Sequence, residues 1–219
     1  MIFLNVTLSP AIRRFLLIGP AIMVGFAIQN LFVYFTNTQP AEVSIEQLIS
    51  NPPSSKWVRV TGGSINLVDA ASSEAKFQKK IEKVYIPIRP EGGKESSDSV
   101  LLLSTDPEVL AVTQQLHALG EARDSQVDVV KLVMENARVI RQERPFEGLI
   151  QSGFFRSERV IYEIRETLPN IVKEPIIIEE GKKPTIFEGL GMLLVAFVMT
   201  VVLLSDTKSK GATPPPLPR

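Results

Sequence analysis

Lys76, Lys79, Lys80 and Lys83 form the one concentrated run of cations in this sequence, with Glu74 and Glu82 beside them. Their three- and four-residue spacing puts all four ammonium groups on one face if the segment is helical. Phe77, Ile81 and Val84 recur at helical spacing, and Ser72 or Ser73 can cap the first turn, so a short helix is the expectation. Such a face suits anionic headgroups or an acidic partner. A merely solvated face has the same spacing. Glu179 and Glu180 precede Lys182 and Lys183. Two carboxylates can hold a cation, but neighbours on an extended chain point to opposite sides, which favours a solvated segment.

The remaining motifs lead away from catalysis. Gly92-Gly93-Lys94 lacks the earlier glycine of a phosphate loop, since Ile88 stands there, and Glu95 replaces the hydroxyl residue that should follow. Thr61-Gly62-Gly63-Ser64 offers backbone N–H groups to an anion, although a turn or bulge is the plainer reading. Zero Cys excludes disulfides, thiol catalysis and Cys-ligated metal. His117 stands alone, so no His relay or His-rich metal site is available. No cofactor is indicated. Ala21 and Gly25 make a small-xxx-small pair that would let two helices approach closely, within the chain or between chains. The tail from Pro214 to Arg219 favours polyproline II.

These residues need elements to place them. Residues 15–35 form an uncharged apolar block, and at 1.5 Å per residue a helix of that length covers about 30 Å, the thickness of a bilayer core. Residues 186–204 form a second block with one charge, Glu188, within its first turn. Both read as transmembrane helices. The residues after the first block offer no small-residue cleavage site, so it reads as an anchor. Arg13 and Arg14 lie before the first span; Lys208, Lys210 and Arg219 follow the second. The positive-inside rule then puts tails 1–14 and 205–219 in the cytoplasm and residues 37–185 outside it, in a plasma or bacterial inner membrane.

The segment between the spans carries 19 basic and 22 acidic residues, so a nucleic-acid surface is not indicated. Arg138, Arg141, Arg144, Arg156, Arg159 and Arg165 are interleaved with acids and read as mixed surface charge. Val43 to Ile49 reads as a helix capped by Ser44. Strands are expected over 56–60, 64–68, 84–88, 100–104, 146–152 and 175–178, with Pro87 marking an edge or bulge. Asp106-Pro107-Glu108 opens a helix that should stop at Gly120. Residues 126–135 suggest another helix, with a strand over 138–140 as the competing reading. Ser157 should cap a helix whose Val160, Ile161, Ile164 and Leu168 share a stripe. The fold class is therefore α+β: two transmembrane helices flanking one mixed domain with at least five short strands.

Two terminal spans around a β-containing domain resemble the layout of the surfeit-locus family of cytochrome oxidase assembly factors. The layout also resembles the membrane-adjacent domain of a mitochondrial ubiquitin ligase. An Arg-Gly-Trp strand motif of the first family is absent, the sole Trp being Trp57 in Lys-Trp-Val-Arg-Val, and a RING needs the Cys that this chain lacks. The resemblance transfers no residues. The expected function is a membrane-anchored, non-enzymatic interaction, scaffold or assembly protein, with the lipid bilayer and a membrane protein as partners. A membrane-tethered ligand sensor or carboxylate-based enzyme is the alternative.

Overall fold

The computed structural model describes residues 18–75, 78–91, 98–122, 126–151 and 158–208. It divides into two compact units, residues 1–38 with 184–219, and residues 39–183.

The first unit is a helix pair. Helix α1 runs over Ile18–Thr36, and a last helix, α7, over Ile186–Lys208. Both are long and apolar enough to cross a membrane. Helix α7 continues past the apolar block, and the start of the first block lies outside the described residues. The pair packs where side chains are small: a Cβ on Gly189 would stand 2.7 Å from Leu31 Cγ and 3.1 Å from the Ala27 carbonyl oxygen. Ala27 and Ala196 are buried, and Asn30 Nδ2 donates to Met192 Sδ at 3.6 Å. Thr36 and Thr200 donate back to the carbonyls of Phe32 and Ala196, which satisfies their hydroxyls within each helix.

In the second unit, strand β1 (Ala41–Ser44) leads into helix α2 (Ile45–Ser50), and Ser44 Oγ accepts from the Gln47 N–H at 3.2 Å as an N-cap. Strands β2 (Trp57–Thr61) and β3 (Gly63–Asn66) are separated by Gly62 alone, at φ +69°. Only glycine takes that conformation without steric cost. The hinge lets one continuous strand serve two neighbourhoods: β2 pairs with β1 and with Phe146–Ile150, β3 with Gln78–Pro90 and Arg141–Glu143.

Strands β4 (Ala71–Ala75) and β5 (Gln78–Pro90) occupy the segment where a helix was expected. They pair antiparallel, and β5 then pairs with β6 (Asp98–Ser104). Tertiary burial explains the correction. Ile81, Val84, Ile86 and Ile88 all reach the core, and β-branched residues in a long run prefer the strand that buries them. Pro87 pairs with Leu101 of β6 on one flank and marks a local edge on the other, as the sequence suggests. It lies where β5 has left β4, last paired at Tyr85, and has yet to meet β3 at Ile88. A missing N–H is tolerable at that gap.

Helix α3 (Pro107–Ala122) passes through Gly120, where a stop was expected. Asp106 Oδ1 accepts from the Glu108 N–H at 2.8 Å, as the local signal predicts. Helices α4 (Gln126–Glu135) and α5 (Ala137–Ile140) follow, so the competing strand over 138–140 does not form. Strands β7 (Arg141–Glu143) and β8 (Phe146–Ile150), helix α6 (Glu158–Thr167) and strand β9 (Ile171–Glu180) complete the domain. Ser157 lies outside the described residues.

The sheet order is β1-β2-β8-β9-β6-β5-β3-β7, with β4 beside β5. Because β2 and β3 are one chain bent at Gly62, this order curls back on itself. Strand β6 is the central element: Val100 and Leu102 face one core with Phe146, Val109 and Val112, while Leu101 and Leu103 face a second with Ile161, Ile164 and Leu168 of the α6 segment. The domain is mixed α+β.

Candidate functional site

Strands β6 and β9 run parallel and end at Ser104 and Glu180, beside the first turn of α3. The carboxyl ends of parallel strands leave a crevice where chains part. Here its volume is about 530 Å³, and Ser104, Asp106, Arg144, Glu147 and Glu180 line it.

The charges in and around it are paired. Arg144 Nη2 lies 2.5 Å from Glu180 Oε1, its Nε donates to Gln142 Oε1 at 2.7 Å, and its guanidinium sits 5.1 Å from the centre of the Phe146 ring. Glu147 lies between two cations, with Oε2 2.9 Å from Arg59 Nη2 and Oε1 3.6 Å from Lys183 Nζ. Arg59 also reaches Glu42 at 3.5 Å. The hydrogen bond from Arg59 holds the Glu147 carboxyl below its ordinary range against the opposing effect of burial, and the Lys183 charge adds to it. The same bond raises Arg59. Glu147 therefore stays ionised near neutrality and is a poor proton donor there.

A second cavity, of about 240 Å³, lies beside Asp69, Arg89, Asp98 and Leu168. Arg89 binds Asp98 through two bonds, Nε to Oδ1 at 2.8 Å and Nη2 to Oδ2 at 3.1 Å, and reaches Asp69 Oδ2 through Nη1 at 2.7 Å. Asp98 is buried. Its bonds, followed by those of Asp69, raise the Arg89 pKa despite partial desolvation. Tyr85 is raised chiefly by burial, then by the charges of Glu179 and Glu163. Among the described residues, no group of three or more His, Asp or Glu side chains converges as a metal site.

The residues singled out from sequence are not gathered at either cavity. Lys76 and the Gly92-Gly93-Lys94 motif lie outside the described residues. Lys79, Lys80 and Lys83 belong to β5, where residues three apart fall on opposite faces, because a strand repeats every two residues, so the helical spacing no longer defines one face. Lys83 is exposed. Ala21 and Gly25 are exposed on α1, with open space at the Gly25 Cβ position; Ala27 and Leu31 meet Gly189 instead. Thr61 to Ser64 span the strand hinge, and His117 is an exposed residue of α3.

Glu179, Glu180, Lys182 and Lys183 do not form a merely solvated segment: each has an ion-pair partner, Lys182 taking Glu179 at 3.2 Å. By sequence alone Arg144 and Glu147 belong with the dispersed surface charge, and Arg89 and Asp98 do not stand out. Asp98 carries no local signal, since it closes a polar run that looks like any loop. No family model matches this chain, and no curated protein or solved structure matches it either.

Proposed function

We propose that the chain is a two-pass integral membrane protein whose 37–185 domain is a non-enzymatic interaction, scaffold or assembly module for a membrane complex. The observation that carries this reading is the ion pairing of the larger crevice. Glu147 is neutralised by Arg59 and Lys183, Glu180 by Arg144, and Asp106 Oδ1 is engaged by the α3 backbone. Glu147, held ionised chiefly by the hydrogen bond from Arg59, is a weak general acid near neutrality. The arrangement suits a surface read by a partner. Partners are the lipid bilayer and a membrane protein. Purification in mild detergent followed by mass spectrometry should recover a specific partner in defined stoichiometry. A chain that migrates alone as a monomer in several detergents would refute the reading.

The orientation proposed has cytoplasmic termini and an extracytoplasmic domain, in a plasma or bacterial inner membrane. Arg13, Arg14, Lys208 and Lys210 support it. Moving a cation across the membrane costs about 2.3 kcal/mol per 100 mV. The Cys-free chain allows single-site labelling: an impermeant thiol reagent on spheroplasts should modify Ser97→Cys and spare Ser209→Cys. The opposite pattern would place the domain in the cytoplasm.

The crevice volume of about 530 Å³ favours one second reading, a membrane-tethered ligand sensor or carboxylate-based enzyme. A small molecule that co-purifies with the chain and is lost in Arg144→Ala would favour it over the scaffold.

A further inference from the structure

Helix α1 has two unlike faces. On one of them Ala27 and Leu31 meet Gly189 of α7. Gln29 stands two residues from each, so at about 100° per residue it lies on the far side of the helix, where it is exposed. Ala21, Gly25, Ile28 and Phe32 are exposed with it, and a Cβ on Gly25 would meet nothing within 4 Å. Gly25 comes one turn before Gln29, and helical side chains lean over the turn that precedes them, so the amide stands above this open notch.

The polar neighbours of Gln29 on α1 are engaged: Asn30 Nδ2 donates to Met192 Sδ at 3.6 Å, and the Thr36 hydroxyl donates to the Phe32 carbonyl at 2.7 Å. Gln29 has no hydrogen-bond partner among the described residues. It lies two residues past the middle of Ile18–Thr36, which is about 3 Å along the axis. In a helix that crosses a bilayer this depth is hydrocarbon. No water reaches it, and the two N–H donors and the carbonyl oxygen of the amide go unsatisfied unless another helix supplies their partners.

We propose that this face of α1 packs against the same face of a second copy of the chain, with Gln29 as its polar contact; the proposal rests on the reading of α1 as a membrane span. A small pair by itself marks no interface, and the unsatisfied amide is what asks for a partner. A carboxamide is self-complementary, because it holds both donors and an acceptor. Copies inserted the same way run α1 parallel to α1. A two-fold axis along the membrane normal then sets Gln29 against Gln29 and Gly25 against Gly25. Both amides are satisfied, and the notch lets the two backbones approach. A helix of another sequence would have to bring a matching polar group and a small residue to the same depth, which a second copy does by symmetry. Interhelical bonds of this kind each favour association about three- to twentyfold.

Energy transfer between copies of the full chain tests it, with donor or acceptor dye on Ser209→Cys, in liposomes of falling protein-to-lipid ratio. The parent chain should self-associate. Gln29→Leu should weaken association about tenfold, and Gln29→Asn, which keeps the carboxamide, should stay within about threefold of the parent. Gly25→Ile should weaken association about tenfold or more by filling the notch. Within one chain the Gly25 position has open space, and Gln29→Leu makes the span more apolar, so neither change disturbs the α1–α7 pair. Resistance to alkaline extraction is scored on the same liposomes. A chain that alkali extracts would overturn the membrane span and the dimer with it. A chain that resists extraction but shows no transfer above random proximity, or whose association ignores both Gln29→Leu and Gly25→Ile, would overturn the dimer alone.

Discussion

Arg89 and Glu147 each hold two opposite charges, but in different surroundings. Arg89 grips Asp98, whose side chain is 3% exposed, from a position that is itself 35% exposed. Glu147 is 23% exposed, and its partners Arg59 and Lys183 are 44% and 62% exposed. Water and salt screen the second group and barely reach Asp98. An exposed partner that is removed is replaced by solvent, whereas a buried partner leaves a charge with nothing to solvate it. Burial therefore sets how much each cluster weighs, and the count of ion pairs does not. The Arg89 cluster is a structural rivet between β5 and the start of β6. The Glu147 row is adjustable, which suits an exposed surface.

The largest effect should come from Arg89→Met. Stranding the Asp98 carboxylate should cost about 2–4 kcal/mol, toward the low side for a buried pair because Arg89 is partly exposed. Guanidinium unfolding of the full chain in detergent, followed by the fluorescence of the sole Trp, would measure it. Adding Asp98→Leu should recover most of the loss. If it does not, the contrast with Glu147 rests on something other than a stranded charge.

Gly181→Val comes next. A β-branched residue at φ +70° should cost about 1–2 kcal/mol by the same measurement, because its Cβ meets the carbonyl in the left-handed region. That outcome would show that the shape of the exposed row depends more on its turn than on its ion pairs.

Glu147→Gln should cost less than about 1 kcal/mol at neutral pH. Its sign with pH is fixed. The folded-state carboxyl is held below the ordinary value of 4.5, so its contribution is fully present above that value. It is lost as pH falls through the lowered one. The stability gap between the parent chain and Glu147→Gln should therefore close on acidification below pH 4.5. A gap that widens there would contradict the pairing.

Arg141→Ala should do least. Arg141 and Glu143 form a 2.9 Å pair with 75% and 51% of their side chains exposed, and the change should stay within about 0.5 kcal/mol. A loss as large as that of Arg89→Met would break the rule that burial decides.

Local signals were legible where a residue acts on its own neighbourhood. Ser44 and Asp106 cap their helices through short-range bonds, and the stripe of Ile161, Ile164 and Leu168 needs only a 3.6-residue period. The segment from Ser72 to Val84 was misread because Phe77, Ile81 and Val84 fit a helical period as well as a buried strand does. Its partners, Ala71 to Ala75 on one flank and Leu101 to Ser104 on the other, decided the matter. The small pair Ala21 and Gly25 had the right spacing for close helix approach, but Gly189 and Ala27 lie where the helices meet. Spacing fixes which residues share a face; it does not fix which face finds a partner.

By itself the chain determined two apolar helices at its ends, a domain of strands and helices between them, and the caps and turns that start several of those elements. Each follows from composition or from interactions a few residues apart. The tertiary structure alone decided that Asp98 is buried against Arg89, that Glu147 joins Arg59 to Lys183, and that Val58, Gly148 and Glu180 share one row of the sheet. The Asp98–Arg89 contact shows the difference. Only nine residues separate the two, but what makes the pair matter is the burial of Asp98, which comes where its strand pairs with β9 at Ile171, some seventy residues farther along.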